Sequence, residues 1–263
     1  MIRFGRYAAI LLALLALTPA CATVPKSFLV SDPPGFLQAS PPFDLVRWKV
    51  AGCTRTMALD LVGDGKIDVR WVRNFGPEGQ SLNLSADIND DGLIEARIER
   101  EYDEQGRLIR MIHYGHLEDQ LVSERVFAYS PEGTKVTETV RPEHGPTSQN
   151  SESRQLLGRR VLITTDYGND EEDEVINEVR FNRRGHLASL AYDIDADGHV
   201  DERFMYIADI QGRPARIEHH QGDEKIETFR IKYNKEGVMT DVKGTTPAGD
   251  LTATLHFTLD CPN

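Results

Sequence analysis

Past its first twenty residues, this 263-residue chain holds no run of 18 apolar residues. Nothing beyond that point can therefore cross a bilayer as a helix. Positive charge is also short, with 30 Lys and Arg against 42 Asp and Glu, a net charge of −12. That balance argues against nucleic-acid binding and against electrostatic docking on anionic lipid, and it favours solubility and cation binding. Glycine-rich phosphate loops, basic aromatic patches, metalloprotease helices and nucleophile elbows are all missing. None of the eight histidines stands in a metal-ligating pattern. His113 and His116 fall in HYGH, and the neighbours His219 and His220 would point to opposite faces of a strand. Carboxylates abound, but no pair stands out as a matched acid and base. No enzyme class is signalled, and no convincing amphipathic helix follows the leader.

The leader itself is present. Arg3 and Arg6 precede an apolar stretch from Ala8 to Leu17, too short to span comfortably and typical of a secretory signal covering residues 1–20. Two cleavage sites compete. Ala20-Cys21-Ala22 offers small-x-small for ordinary signal peptidase. Leu17-Thr18-Pro19-Ala20-Cys21 resembles a bacterial lipobox, although Thr18 stands where an apolar residue is expected. The resemblance implies a bacterial envelope lipoprotein, held in the membrane, expected to be the outer membrane, by lipid on Cys21. The alternative is a soluble periplasmic or secreted protein. Loss of Arg3 and Arg6 leaves 28 basic against 42 acidic side chains, a net charge of −14. Prolines 25, 33, 34, 41 and 42 make residues 21–44 an extended tether. Either cleavage leaves the pair Cys53 and Cys261, for which an oxidising compartment favours a disulfide across the whole folded region.

Glycine spacing exposes a repeat. Gly65 and Gly92, Gly79 and Gly106, Gly106 and Gly133, and Gly185 and Gly212 each lie 27 residues apart. Gly65–Gly79, Gly92–Gly106 and Gly198–Gly212 are 14 apart, so each unit holds two turns, one at each end of a strand. One turn class reads YDEQGRL at Tyr102–Leu108, with relatives starting at Phe75, Tyr129, Phe181 and Tyr233 and a sixth copy at Ala208. Asp, Asn or Ser caps such a turn and glycine takes the left-handed conformation. This class resembles the YD-repeat of RHS-type proteins over about seven residues per unit. The resemblance implies curled antiparallel sheet, without the encapsulating role of the large members.

Strand patterning agrees with that expectation. Ile94, Ala96 and Ile98 alternate with Glu95, Arg97, Glu99 and Glu101, and Phe229, Ile231 and Tyr233 share one side. The expected fold is all-β, an antiparallel meander of about 12 to 14 strands built from 27-residue hairpin repeats. It is either a curled sheet or closed and barrel-like. Residues 140–153, polar and holding two prolines, read as a hinge between repeat lobes at 45–139 and 154–263.

The second turn class carries the candidate chemistry. DINDDGLIE places Asp87, Asn89, Asp91 and Glu95 at loop positions 1, 3, 5 and 9 around Gly92. DIDADGHVD does the same with Asp193, Asp195, Asp197 and Asp201 around Gly198. Alternating hard oxygens turned by a glycine suit Ca²⁺. Position 12 is Ile98 or Phe204 instead of a bidentate acid, so these are not EF-hands. The competing reading is an Asx-rich turn that caps itself. Two weaker copies carry Asp60, Asp64 and Asp68, and Asp166, Asp170 and Glu174. Three roles remain in view. The first is a structural or interaction module binding an envelope protein or glycan, with Ca²⁺ as a stabilising cofactor. The second is an envelope hydrolase, which would need a polar cleft with convergent carboxylates. The third is a carrier of an apolar ligand, which would need a continuous cavity inside the sheet.

Overall fold

The computed structural model describes residues 50–262, apart from 62, 116–119 and 169. The leader, Cys21 and the tether lie outside the described residues, as does His116. Sixteen strands follow one another and no helix occurs among the described residues. They are β1 (Thr54–Asp60), β2 (Val69–Phe75), β3 (Ser81–Asp87), β4 (Ala96–Tyr102), β5 (Leu108–Tyr114) and β6 (Leu121–Tyr129). Then come β7 (Lys135–Pro142), β8 (Ser148–Leu157), β9 (Arg160–Tyr167), β10 (Val175–Phe181) and β11 (Leu187–Asp193). The chain ends with β12 (Glu202–Ala208), β13 (Pro214–Gln221), β14 (Glu224–Tyr233), β15 (Met239–Thr245) and β16 (Leu251–Asp260).

Every strand pairs antiparallel with its chain neighbours, and β1 pairs with β16 to close a barrel. The all-β meander is the expected one, with 16 strands in place of 12 to 14. The extra strands come from two tight turns that the glycine period passes over, at Gly158 and at Gly222. Closure leaves no unpaired edge. At the seam Thr54 to Asp60 run against Asp260 to Thr254, and the Cys53–Cys261 disulfide bonds the adjoining ends, with Cα atoms 4.2 Å apart.

The hinge at 140–153 is not present, and the two lobes are one sheet. Residues 140–142 finish β7 and Ser148–Leu157 form β8, leaving only 143–147 as a turn. The strand hides in the sequence because its inward residues are polar. Asn150, Glu152 and Arg154 point into the barrel and find polar partners there, so apolar alternation never appears.

Alternation elsewhere sets inside from outside. In β14 Phe229 and Ile231 are buried while Arg230 and Lys232 are exposed. One large apolar cluster fills the lumen of β9 to β16 and β1, including Val179, Ile217 and Val242, which are fully buried. Each such side chain contributes about 1.5–3 kcal/mol by leaving water. A smaller cluster of Leu108, Phe127 and Val136 lies in the other half.

The outer wall is charged. Arg110 donates to Glu101 at 2.8 Å and to Glu124 at 2.7 Å, and Arg141 donates to Glu124 at 3.1 Å. Together Arg110 and Arg141 hold the Glu124 carboxyl below the usual carboxylate range. Arg160 and Arg180 flank Glu178 in the same way. Membrane-spanning barrels turn an apolar band outward and keep polar groups inside. Across β9 to β16 and β1 the arrangement is the reverse, with an apolar lumen and charged side chains such as Arg230 and Lys232 facing outward.

Candidate functional site

Because each strand crosses the barrel once, successive turns fall at alternate ends. The connections β1–β2, β3–β4, β9–β10 and β11–β12 share one end, and these are the four acidic loops. The tyrosine turns and the disulfide occupy the other end.

The four loops share one hydrogen-bonding scheme. Position 1 is a buried Asp whose carboxylate accepts backbone N–H groups from its own loop. Asp60 accepts from Gly63 and Gly65, Asp87 from Asp91 and Gly92, and Asp166 from Asp170 and Glu171. Position 9 reaches back to the N–H of position 2: Asp68 to Leu61, Glu95 to Ile88, Glu174 to Tyr167 and Asp201 to Ile194. Position 5 accepts from position 7 in each, as Asp91 does from Leu93. Much of the acid ladder is thus Asx-type capping of a long turn.

The structure gathers Asp87, Asp91 and Glu95 into one group, with one carboxylate oxygen from each within 4.8 Å of the others. It gathers Asp193, Asp195 and Asp197 likewise, while Asp201 stays out of that group at its cap on Ile194. Asn89 sits exposed at position 3 of the first loop. The weak copy Asp166, Asp170 and Glu174 is gathered as closely as the full ones, despite lacking both its position-3 oxygen and its glycine. The first loop carries a counter-charge: Arg70 donates to Asp90 through Nε at 2.6 Å and Nη2 at 3.1 Å.

The lumen holds a second candidate site, which the sequence did not reveal. A cavity of about 170 Å³ opens between β4 and β9. Ile98, Leu108, Met111, Phe127 and Val136 form its apolar wall; His113, Ser123, Arg125, Glu138, Asn150, Glu152 and Tyr167 supply polar groups. Arg125 donates to Glu138 at 3.0 Å, and Asn150 donates to the other Glu138 oxygen at 2.8 Å. Glu152 accepts from Arg154 at 2.6 Å, and both are buried. Burial nonetheless outweighs Arg154 and pushes the Glu152 carboxyl up to about 7. Burial, helped by the Arg125 charge, lowers His113 from its ordinary value. The only sequence signal for this site was a set of strands whose inward positions are polar, and that pattern cannot be told from loop without knowing which way the strands face.

No family model matches the chain, and no curated protein does. Among solved structures it is similar to a porin-like protein from Bacteroides uniformis, at 11% identity and a TM-score of 0.46, covering 80% of this chain and 99% of that one. A porin-like protein from Bacteroides vulgatus is similar at 10% identity and 0.45, covering 80% and 98%. A β-barrel-like protein from Brucella abortus aligns at 11% identity and 0.30, covering 80% and 97%.

Proposed function

We propose that this chain is a bacterial cell-envelope barrel that holds a small amphipathic molecule in the first half of its lumen, a binding role without catalysis. The cavity carries this reading. One half of the barrel holds the large apolar cluster, while the other keeps a space lined by an apolar wall and a few placed polar groups, the usual build of a ligand site. About 170 Å³ is close to the ~150 Å³ that houses one aromatic ring in an engineered cavity. Of the three roles, this is nearest the carrier. The carboxylates Glu138 and Glu152 are each engaged by an arginine of the wall, which favours binding over acid–base work. Envelope residence is supported by the leader and by the disulfide, which needs an oxidising compartment.

Benzenesulfonate, a one-ring aromatic anion, is a suitable probe. It should give saturable heat in calorimetric titration of the full barrel, and Ser123→Trp, which fills the cavity, should abolish it. Glu152 adds a pH dependence. The folded chain holds its proton more tightly than the unfolded chain does, whose value is near 4.5, so this group's contribution to stability falls as pH rises from about 4.5 to about 7. Above about 7 the ionised carboxylate repels the anionic probe, and affinity should drop through that range in wild type but not in Glu152→Gln. Undiminished probe binding by Ser123→Trp would refute the lumen as the site.

A further inference from the structure

The four acidic loops differ at one atom. Asp60, Asp87 and Asp166 each spend both carboxylate oxygens on backbone N–H groups. Asp193 spends only one, with its Oδ2 accepting from Gly198 at 2.9 Å. The Asp197 N–H, whose counterpart in the first loop bonds the position-1 Asp, goes instead to Asp195 Oδ1 at 3.4 Å. Asp193 Oδ1 is left buried with no donor, on a residue only 6% exposed. Asp195 and Asp197 each bring a carboxylate oxygen into the same 4.8 Å group, and both are exposed to solvent. Among the described residues no cationic side chain pairs with any of the three, whereas Arg70 serves the first loop. A buried carboxylate oxygen without a donor is strongly unfavourable, more so beside two further negative charges.

We propose that the loop Asp193–Asp201 is a Ca²⁺ site, with Asp193 Oδ1, Asp195 and Asp197 as its protein ligands, and that the other three acidic loops are self-capped turns that take no ion. Only oxygen donors are present, three acids bring charge enough for a divalent ion, and the exposed side of the loop lets water complete a shell of six to eight oxygens. The Gly198 N–H occupies Oδ2 and leaves Oδ1 as the oxygen of Asp193 still open to an ion. Position 3 selects this loop: Asp195 takes the Asp197 N–H and frees Asp193, whereas Asn89 leaves the Asp91 N–H on Asp87.

The test is calorimetric titration of the full, chelator-treated chain with CaCl₂. The expected result is about one ion per chain, with a dissociation constant on the order of 10⁻⁴ to 10⁻³ M, as for extracellular calcium modules. By linkage the melting temperature should rise by roughly 3–5 °C in millimolar excess. Asp195→Asn with Asp197→Asn should abolish both signals, and Asp91→Asn should leave both intact. Absence of saturable binding, its survival in the double variant, or its loss in Asp91→Asn would each overturn the assignment. If the double variant melts below wild type in chelator, Asp195→Asn alone carries the test, since it keeps the Asp197 cap on the His199 N–H.

Discussion

Glu171 shows what one residue contributes to a loop. Position 6 of the acidic turns lies in the left-handed region, at φ +84° for Gly65, +90° for Gly92 and +91° for Gly198. In the fourth loop Glu171 holds φ +76°, where a Cβ costs roughly 1–2 kcal/mol. The strain is tolerated because the backbone N–H of Glu171 must meet Asp166 Oδ2, as those of the glycines meet Asp60 and Asp87. Glu171→Gly keeps that bond and removes the strain, offset in part by the freer unfolded chain. A gain of about 1 kcal/mol is expected, a rise of roughly 2–4 °C in melting temperature for a domain of this size. A melting curve at or below wild type would show that the turn has no stored strain to release. Here the acidic pattern was legible in the sequence, since spacing of Asp and Gly dictates the turn. Which carboxylate oxygen lacks a donor was not, because that depends on tenths of an ångström within a loop.

At the scale of the element, the tyrosine turns couple one hairpin to the next. Asp103 accepts from the N–H groups of Gln105 and Arg107 and from Arg107 Nε at 2.6 Å. The fixed guanidinium then lies 4.9 Å from the ring centroid of Tyr129, the aromatic of the next copy. Asp209, Arg213 and Tyr233 repeat this arrangement at 4.3 Å. The hydroxyls of Tyr102, Tyr129 and Tyr233 reach across to the carbonyls of Ser81, Leu108 and Pro214, where the preceding odd-numbered strands begin. In five of the six copies the ladder shifts register beside the turn, a bulge that adds twist. Tyr129→Phe keeps the ring under Arg107 and removes only the hydroxyl, so it should cost about 1 kcal/mol in denaturant unfolding. Phe75 and Phe181 already lack that bond, and an equal stability for Tyr129→Phe would mean the bond adds nothing at Tyr129 either.

The whole molecule depends on its seam. Every pairing but one joins neighbours in sequence, and only β1 with β16 closes the ring. The disulfide spans 208 residues at that seam. Restricting so long a loop in the unfolded chain stabilises the fold by about 5 kcal/mol in the chain-entropy model. Replacing Cys53 and Cys261 with serine should therefore lower unfolding stability by several kcal/mol. It should also raise amide exchange first in β1 and β16. Uniform exchange across all sixteen strands would instead mean that the hydrogen-bonded seam holds without its clasp. Much at this scale was already determined by the sequence alone. Glycine period, alternation and turn chemistry act within a few residues, so they dictated β-hairpins, antiparallel order and the two kinds of turn. Three matters were decided only by the tertiary structure. Closure depends on sixteen small twists adding up to a ring. The strand character of Ser148–Leu157 depends on Asn150, Glu152 and Arg154 meeting polar partners across the lumen. The cavity exists because inward side chains from six strands, distant in sequence, leave a space that no local pattern records.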